Sequence, residues 1–214
     1  MTRAWLLLLG ALATLGFAIT VLIVLPRMML VGAGAASPLA DYTAQEHRGR
    51  DIYVANGCVY CHSQQVRDPA FTTDIARGWG NRATVPSDYV FDRPHLLGTM
   101  RTGPDLINVG QRLPDPVWHL VHLYNPRAVT PWSIMPAFPF LFTLADSGTA
   151  VPSERVVAVP RAFVPAGKIV AASDDALALA AYLLSLKHTF PVPASSRATE
   201  QQAGVIARSV HTMP

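Results

Sequence analysis

Cys58-Val59-Tyr60-Cys61-His62 decides how this chain is read, because it holds the only two cysteines of the 214 residues and ends in a histidine. Cys-x-x-Cys-His is the attachment spacing of c-type haem. Two thiols three positions apart at the end of a helix can add to the two vinyl groups along one porphyrin edge. The histidine that follows then falls under the iron as an axial ligand. Cys58 and Cys61 are therefore the expected covalent attachment points of one haem c, and His62 the first iron ligand. Two rival chemistries share the Cys-x-x-Cys core. A thioredoxin-like redox pair calls for a βαβ setting, which the residues around Cys58 do not offer. A zinc site draws on two more cysteine or histidine ligands, and no second Cys-x-x-Cys exists.

Upstream of that motif, Ala4 to Leu25 reads AWLLLLGALATLGFAITVLIVL, without a charged residue. About 22 residues at ~1.5 Å rise make roughly 33 Å of helix, enough to cross a ~30 Å hydrocarbon layer. Arg3 precedes the stretch, Pro26-Arg27 ends it, and Trp5 stands where an interfacial aromatic belongs. A cleaved signal peptide is the alternative, but its apolar core is usually 7–15 residues and this one is longer. The expectation is a retained single-pass anchor. Flanking charges are too balanced to orient it. Haem attachment orients it instead, since c-type maturation in bacteria takes place outside the cytoplasmic membrane; the globular part should face the periplasm. The net charge of +3 is small and no Lys/Arg run exists, which argues against nucleic acid as a partner.

Val31 to Ala40 is a small-residue linker. A helix is expected from about Thr43 to Asn56, closed by Gly57. Cys58 to Gly103 reads as mostly irregular, and Asp115 to Tyr124 as a short helix stopped by Asn125-Pro126. Val151 to Ala172 sets prolines among valines, as a loose hairpin or an extended loop. A last helix, DDALALAAYLLSLKH, is capped by Ser173 or Asp174 and ends in Lys187-His188, which suits the helix dipole. Its leucines and alanines fill most faces, so it should be buried.

A second axial ligand is sought among six methionines. Methionine thioether is a common partner of histidine in cytochromes c and raises the potential. Met1, Met28 and Met29 lie at the apolar segment and Met213 in the tail, which leaves Met100 and Met135. Met135 stands in TPWSIMPAFPFLF, a stiff loop between Pro131 and Pro136, and is the expected distal ligand; its rival role is packing. Within Arg101-Thr102-Gly103-Pro104-Asp105-Leu106, the Pro104 carbonyl is the candidate acceptor for the Nδ1–H of His62, with a plain turn proline as the competing reading. Arg67, Arg101 and Arg127 suit the haem propionates, since a guanidinium fork matches a carboxylate. For each of these arginines, a solvated surface position is the competing reading. His95, His119 and His122 are ligands on paper, and packed or surface histidines by preference.

Gly49 and Tyr53 before Gly57-Cys58-x-x-Cys61-His62, then Gly103-Pro104-Asp105-Leu106, Met135-Pro136 and Ala181-Tyr182-Leu183-Leu184-Ser185-Leu186, together resemble a class I cytochrome c. That likeness implies crossing first and last helices, with Gly49 and Tyr182 in contact. The blocks GCVYCHSQQVR, DYVFDRPHLLGTMRTGPDL, HLYNPRAVTPWSIMPAF and AYLLSL narrow it further. Behind one N-terminal anchor, they resemble the mono-haem subunit (subunit II) of cbb3-type cytochrome c oxidases. Val151–Ala172 and the Pro-rich tail depart from that pattern.

The fold expected on this basis is mainly α, one N-terminal transmembrane helix followed by a class I cytochrome c domain with loop insertions. Its parts would be an anchor helix over 1–30, a linker over 31–42, a mono-haem cytochrome c domain over 43–188 and a tail over 189–214. The resemblance implies an electron-transfer subunit of the bacterial cytoplasmic membrane, not an enzyme by itself. Its partners would be a large polytopic haem-copper catalytic subunit, another cytochrome c subunit and a c-type electron donor. A cytochrome c subunit of a nitric oxide reductase and a haem-based sensor are the alternative classes.

Overall fold

A computed structural model describes residues 2–31, 39–98 and 100–188. Most of the expected linker and all of the expected tail lie outside these described residues. The chain divides into two units, one holding the N-terminal helix and residues 85–90, the other residues 40–84 and 91–188.

The N-terminal unit is one run of helix: α1 (Thr2–Ile19), a π-helical turn (Thr20–Val24) and α2 (Leu25–Val31). Arg3–Met28 is long and apolar enough to cross a membrane, with a mean hydropathy of 2.6 over its best window and none of that window buried. The two hydroxyls inside it are satisfied within the helix. Thr14 Oγ1 donates to the Gly10 carbonyl at 2.9 Å and Thr20 Oγ1 to Gly16 at 2.8 Å. No side-chain donor is thereby left for hydrocarbon to desolvate at these positions.

The second unit is organised by two helices, α3 (Ala44–Ala55) and α6 (Asp174–Ser185), whose signals are local. Thr43 caps α3, with Oγ1 accepting from the Glu46 N–H at 3.3 Å and the Glu46 carboxylate accepting from the Thr43 N–H at 2.7 Å. This reciprocal box satisfies two of the otherwise orphaned donors of a helix start. Gly57 ends the helix region at φ 69°, a left-handed conformation that glycine adopts without strain. Ser173 caps α6, and Asp174 and Asp175 occupy its acidic first turn. The helix ends at Ser185, short of the Lys187-His188 expected in its last turn. Ser185 Oγ bonds back to the Tyr182 carbonyl at 2.8 Å and Leu186 leaves helical geometry at ψ 88°.

Between these come α4 (Val109–Arg112) and α5 (Pro116–Tyr124), the latter started by the Asp115 carboxylate on the Val117 N–H at 2.9 Å. The Val151–Ala172 stretch resolves as a hairpin. Strand β1 (Phe142–Asp146), which begins at the last residue of the TPWSIMPAFPFLF loop, and β2 (Val156–Val157) both pair antiparallel with β3 (Lys168–Ala172), in the order β1-β3-β2. Phe142 faces Ala172 and Asp146 faces Lys168, whose ammonium meets that carboxylate at 2.8 Å. Phe142, Val157, Val170 and Ala172 join the core with Tyr53, Leu179, Tyr182 and Leu186. The described chain is thus mainly helical, with a small sheet between the Met135 loop and α6.

The crossing of α3 and α6 rests on Gly49. A Cβ there would fall 2.0 Å from the Ala178 carbonyl oxygen and 2.8 Å from the Tyr182 Cβ. Both obstacles are main chain or the root of a fully buried ring, so neither can step aside. Gly49→Ala should lower unfolding stability by about 2–3 kcal/mol, the range of an overpacked core site. Thermal melting checks it; an unchanged midpoint would mean the crossing is looser than the distance implies.

Candidate functional site

Gly57 ends α3 and delivers Cys58–Tyr60 as a single 3₁₀ turn, so that His62 follows at the floor of a cavity. The cavity has a volume of about 470 Å³, in the range of small-molecule and cofactor sites. His62, Gly103, Arg112, His122 and Met135 line it, with Cys61 at its edge.

Two backbone bonds staple residues 61–63 to the Arg101–Leu106 segment, and a third ties Gln64 to Leu97 just before it. Gly103 N–H donates to the Cys61 carbonyl at 2.9 Å, Leu106 to Ser63 at 2.8 Å and Gln64 to Leu97 at 2.9 Å. The His62 ring then lies flat against Gly103, where a Cβ would sit 2.2 Å from its Cε1. Its Nδ1 is 2.7 Å from the Pro104 carbonyl. A carbonyl only accepts, so Nδ1 carries the proton and Nε2 keeps its lone pair. Burial holds the His62 pKa below the usual imidazole value, against the opposing pull of that carbonyl and of Asp105. A neutral imidazole, locked in one tautomer by a backbone acceptor, is the form that ligates metals.

A buried polar frame stands behind this wall. The Asp105 carboxylate accepts from Ser63 Oγ at 2.5 Å, the Gln65 N–H at 2.7 Å and the Ile107 N–H at 3.0 Å. Asp74, only 2% exposed, bonds the Arg101 and Arg67 guanidinium groups and the Arg67 N–H. Burial alone would raise the Asp74 pKa, but hydrogen bonds from Arg101 and Arg67 outweigh it and hold the carboxyl well below the usual carboxylate range. Arg101 also bonds Ser63 Oγ at 2.8 Å and lies over the Trp79 ring at 5.2 Å.

The arginines expected to face the propionates are therefore employed elsewhere. Arg67 and Arg101 turn to Asp74, because a buried carboxylate must be paired, and neither lines the cavity. Arg127 is exposed and lies outside it as well. Arg112, which the sequence reading passed over, lines the cavity instead, bonds the Asp105 carbonyl, and has a buried Nε without a partner.

The two methionines separate clearly. Met135 lines the cavity with His62, whereas Met100 is 55% exposed and does not. His119 lines the wall with its Nε2 on the Leu113 carbonyl at 2.8 Å. His122 also lines it, stacked on Trp118 at 4.6 Å and 12°. Burial, with His119 and then His62 adding, pushes the His122 pKa down to about 4, so its ring is neutral at physiological pH.

Neither rival reading of the cysteines gains support from these surroundings. Burial pushes the Cys58 thiol up to about 11, whereas a redox-active Cys-x-x-Cys has a depressed value. Among the described residues no cluster of three or more His, Cys, Asp or Glu side chains is arranged to hold a metal ion.

What fold and site define is a domain with a cofactor-sized cavity lined by imidazoles and a thioether, preceded in the chain by an apolar helix. The sequence matches, over residues 2–188, the family described as cytochrome C oxidase, mono-heme subunit/FixO, and the chain belongs to that family. Membership makes it a mono-haem subunit of an oxidase, hence one chain of a larger assembly. No curated protein matched the chain. The cavity fits one haem: an imidazole with its second nitrogen already bonded, a thioether, and an orphaned guanidinium nitrogen for a carboxylate.

Asp74→Asn removes the carboxylate that pairs with Arg101 and Arg67, leaving the 15% exposed Arg101 only the Asp105 carboxylate at 3.7 Å, and should cost about 3 kcal/mol at neutral pH. A depressed carboxyl contributes stability above its unfolded value of about 4 and loses it as pH falls through the folded value. Urea titrations should therefore show the gap between wild type and variant at pH 7 and its closure in strong acid. A gap that did not change with pH would assign the cost to packing.

Proposed function

We propose that this chain is the membrane-anchored electron relay of a cbb3-type haem-copper oxidase, carrying one haem c. In this reading Cys58 and Cys61 form thioether links to the porphyrin edge, and His62 and Met135 are the axial ligands. The observation that carries it is the meeting of His62 and Met135 on one cavity at the end of a Cys-x-x-Cys turn. The bound group supplies one-electron ferric–ferrous chemistry, and histidine–methionine ligation favours a moderately high potential.

The chain's own residues do the rest. Pro104 holds the His62 ring in one orientation and strengthens it as a donor. Arg112 presents its free Nε to a propionate. With His62 and Met135 both holding the iron, the subunit would conduct electrons while its partner reduces the substrate. That leaves no catalytic residue of its own. The domain around this cavity is a class I cytochrome c domain over 43–188, behind an anchor over 1–30. The anchor confines it to the periplasmic face of the bacterial cytoplasmic membrane, beside the polytopic catalytic subunit, a further cytochrome c subunit and a soluble c-type donor.

Acid–acetone treatment of the denatured protein reads the covalent links: the haem should stay with the polypeptide, and its release into solvent would refute attachment at Cys58 and Cys61. The relay itself is read by oxygen consumption of the purified complex from a c-type donor, for wild type and Met135→Leu. The variant should lower the potential of this haem and slow donor-driven turnover at least several-fold. Undiminished turnover with the haem's potential displaced would remove this subunit from the electron path.

A further inference from the structure

Three imidazoles line the cavity, and two of them spend a ring nitrogen on a backbone carbonyl: His62 on Pro104 and His119 on Leu113. His122 does not. Its Nε2 lies 3.2 Å from Met135 Sδ, and its Nδ1 is buried without a partner. The ring plane is set by the Trp118 indole, stacked at 4.6 Å. The backbone sets the distance from both sides, since the Phe138 N–H donates to the Leu123 carbonyl at 2.9 Å and so ties the Met135 loop to the residue after His122.

A neutral imidazole carries one N–H. Were it on Nδ1, the lone pair of Nε2 would face those of the sulfur at 3.2 Å. On Nε2 it meets a weak acceptor at hydrogen-bonding distance for sulfur. We infer that His122 is a positioning residue for Met135, its Nε2–H donating to one lone pair of Sδ and leaving the other free for iron. The inference rests on Met135 being the distal ligand.

Two consequences follow from the chemistry of a thioether. Sulfur has two lone pairs, so occupying one selects which face of the sulfur is presented to the metal. The hydrogen bond also draws electron density from the sulfur, making it a poorer donor to ferric iron and raising the potential. Hydrogen bonds to ligands are one of the protein's levers on redox centres. The imidazole thus serves the metal through another side chain, without touching it.

The test compares wild type, His122→Phe, His122→Gln and Met135→Leu in the full chain within its complex. Three readouts are used: redox titration of the haem, the near-infrared sulfur-to-iron charge-transfer band, and the shifted methionine methyl resonance of the ferric protein. Phenylalanine keeps a ring against Trp118 but has no donor, whereas glutamine restores an N–H. The inference expects a downward shift of the midpoint and a moved band in His122→Phe, both largely recovered in His122→Gln. An unchanged midpoint and band in His122→Phe would overturn it, as would equal shifts in the two variants, which would show a packing role. If His122→Phe does not take up haem, His122→Ala replaces it, and the same comparison with glutamine decides. A band that survives in Met135→Leu would instead overturn the ligand assignment, independently of His122. A wild-type spectrum of paired imidazoles would make His122 the ligand and overturn both.

Discussion

The His62 imidazole rests where Gly103 has no side chain, and most of the surrounding structure exists to keep it there. Any Cβ at that position would occupy the ring. The contact works only because the main chain of residues 101–106 is held close to residues 61–65 by backbone bonds and by Asp105, whose carboxylate is wholly buried and three times bonded. Asp74 and Arg101 then brace that arrangement from behind. A buried ion pair is an expensive way to gain stability, and its better-attested role is to specify one arrangement among several. Here the arrangement specified is the height and tilt of one ring.

The opposite partner is held by different means. Met135 sits in a loop with few buried neighbours of its own, closed by a backbone bond to α5 and faced by a stacked histidine–tryptophan pair. Polar bonds and ion pairs dominate the wall that carries His62. Aromatic packing and a single loop closure dominate the wall that carries Met135. Family membership gives this contrast a setting, since a mono-haem oxidase subunit has one cofactor to place.

Features that depend on neighbours in sequence were legible in advance. The helix opening near Thr43 and closed by Gly57, the short helix from Asp115, the Ser173 cap and the Cys-x-x-Cys-His turn all lie where the residue types put them. Elimination among the methionines leaves Met100 and Met135, and only the fold shows that Met135 lines the cavity while Met100 does not. What escaped depends on residues far apart. Phe142 reads as the last residue of an aromatic loop, and only the pairing of Phe142–Asp146 with Lys168–Ala172 makes a strand there. Arg67 and Arg101 looked free because their carboxylate partner, Asp74, stands in an irregular stretch with no periodicity to mark it as buried. Arg112 and His122 show no local signal at all. A histidine on an apolar helix face is usually a packed one, and only the distance to a sulfur thirteen residues away gives this one a task.

The unequal construction of the two walls sets the order in which the cavity comes apart. Local opening draws on segments with few buried contacts and exposed apolar side chains, and the loop around Met135 has both, with Trp132 and Ile134 largely in solvent. The segment behind His62 has neither. Partial unfolding therefore begins at the thioether and spares the imidazole, so the domain passes through a form that keeps His62 in place while Met135 is released. Such a half-open state is also the one a newly made chain must present to receive its cofactor, and the fold holds it in reserve as the first step of its own fraying.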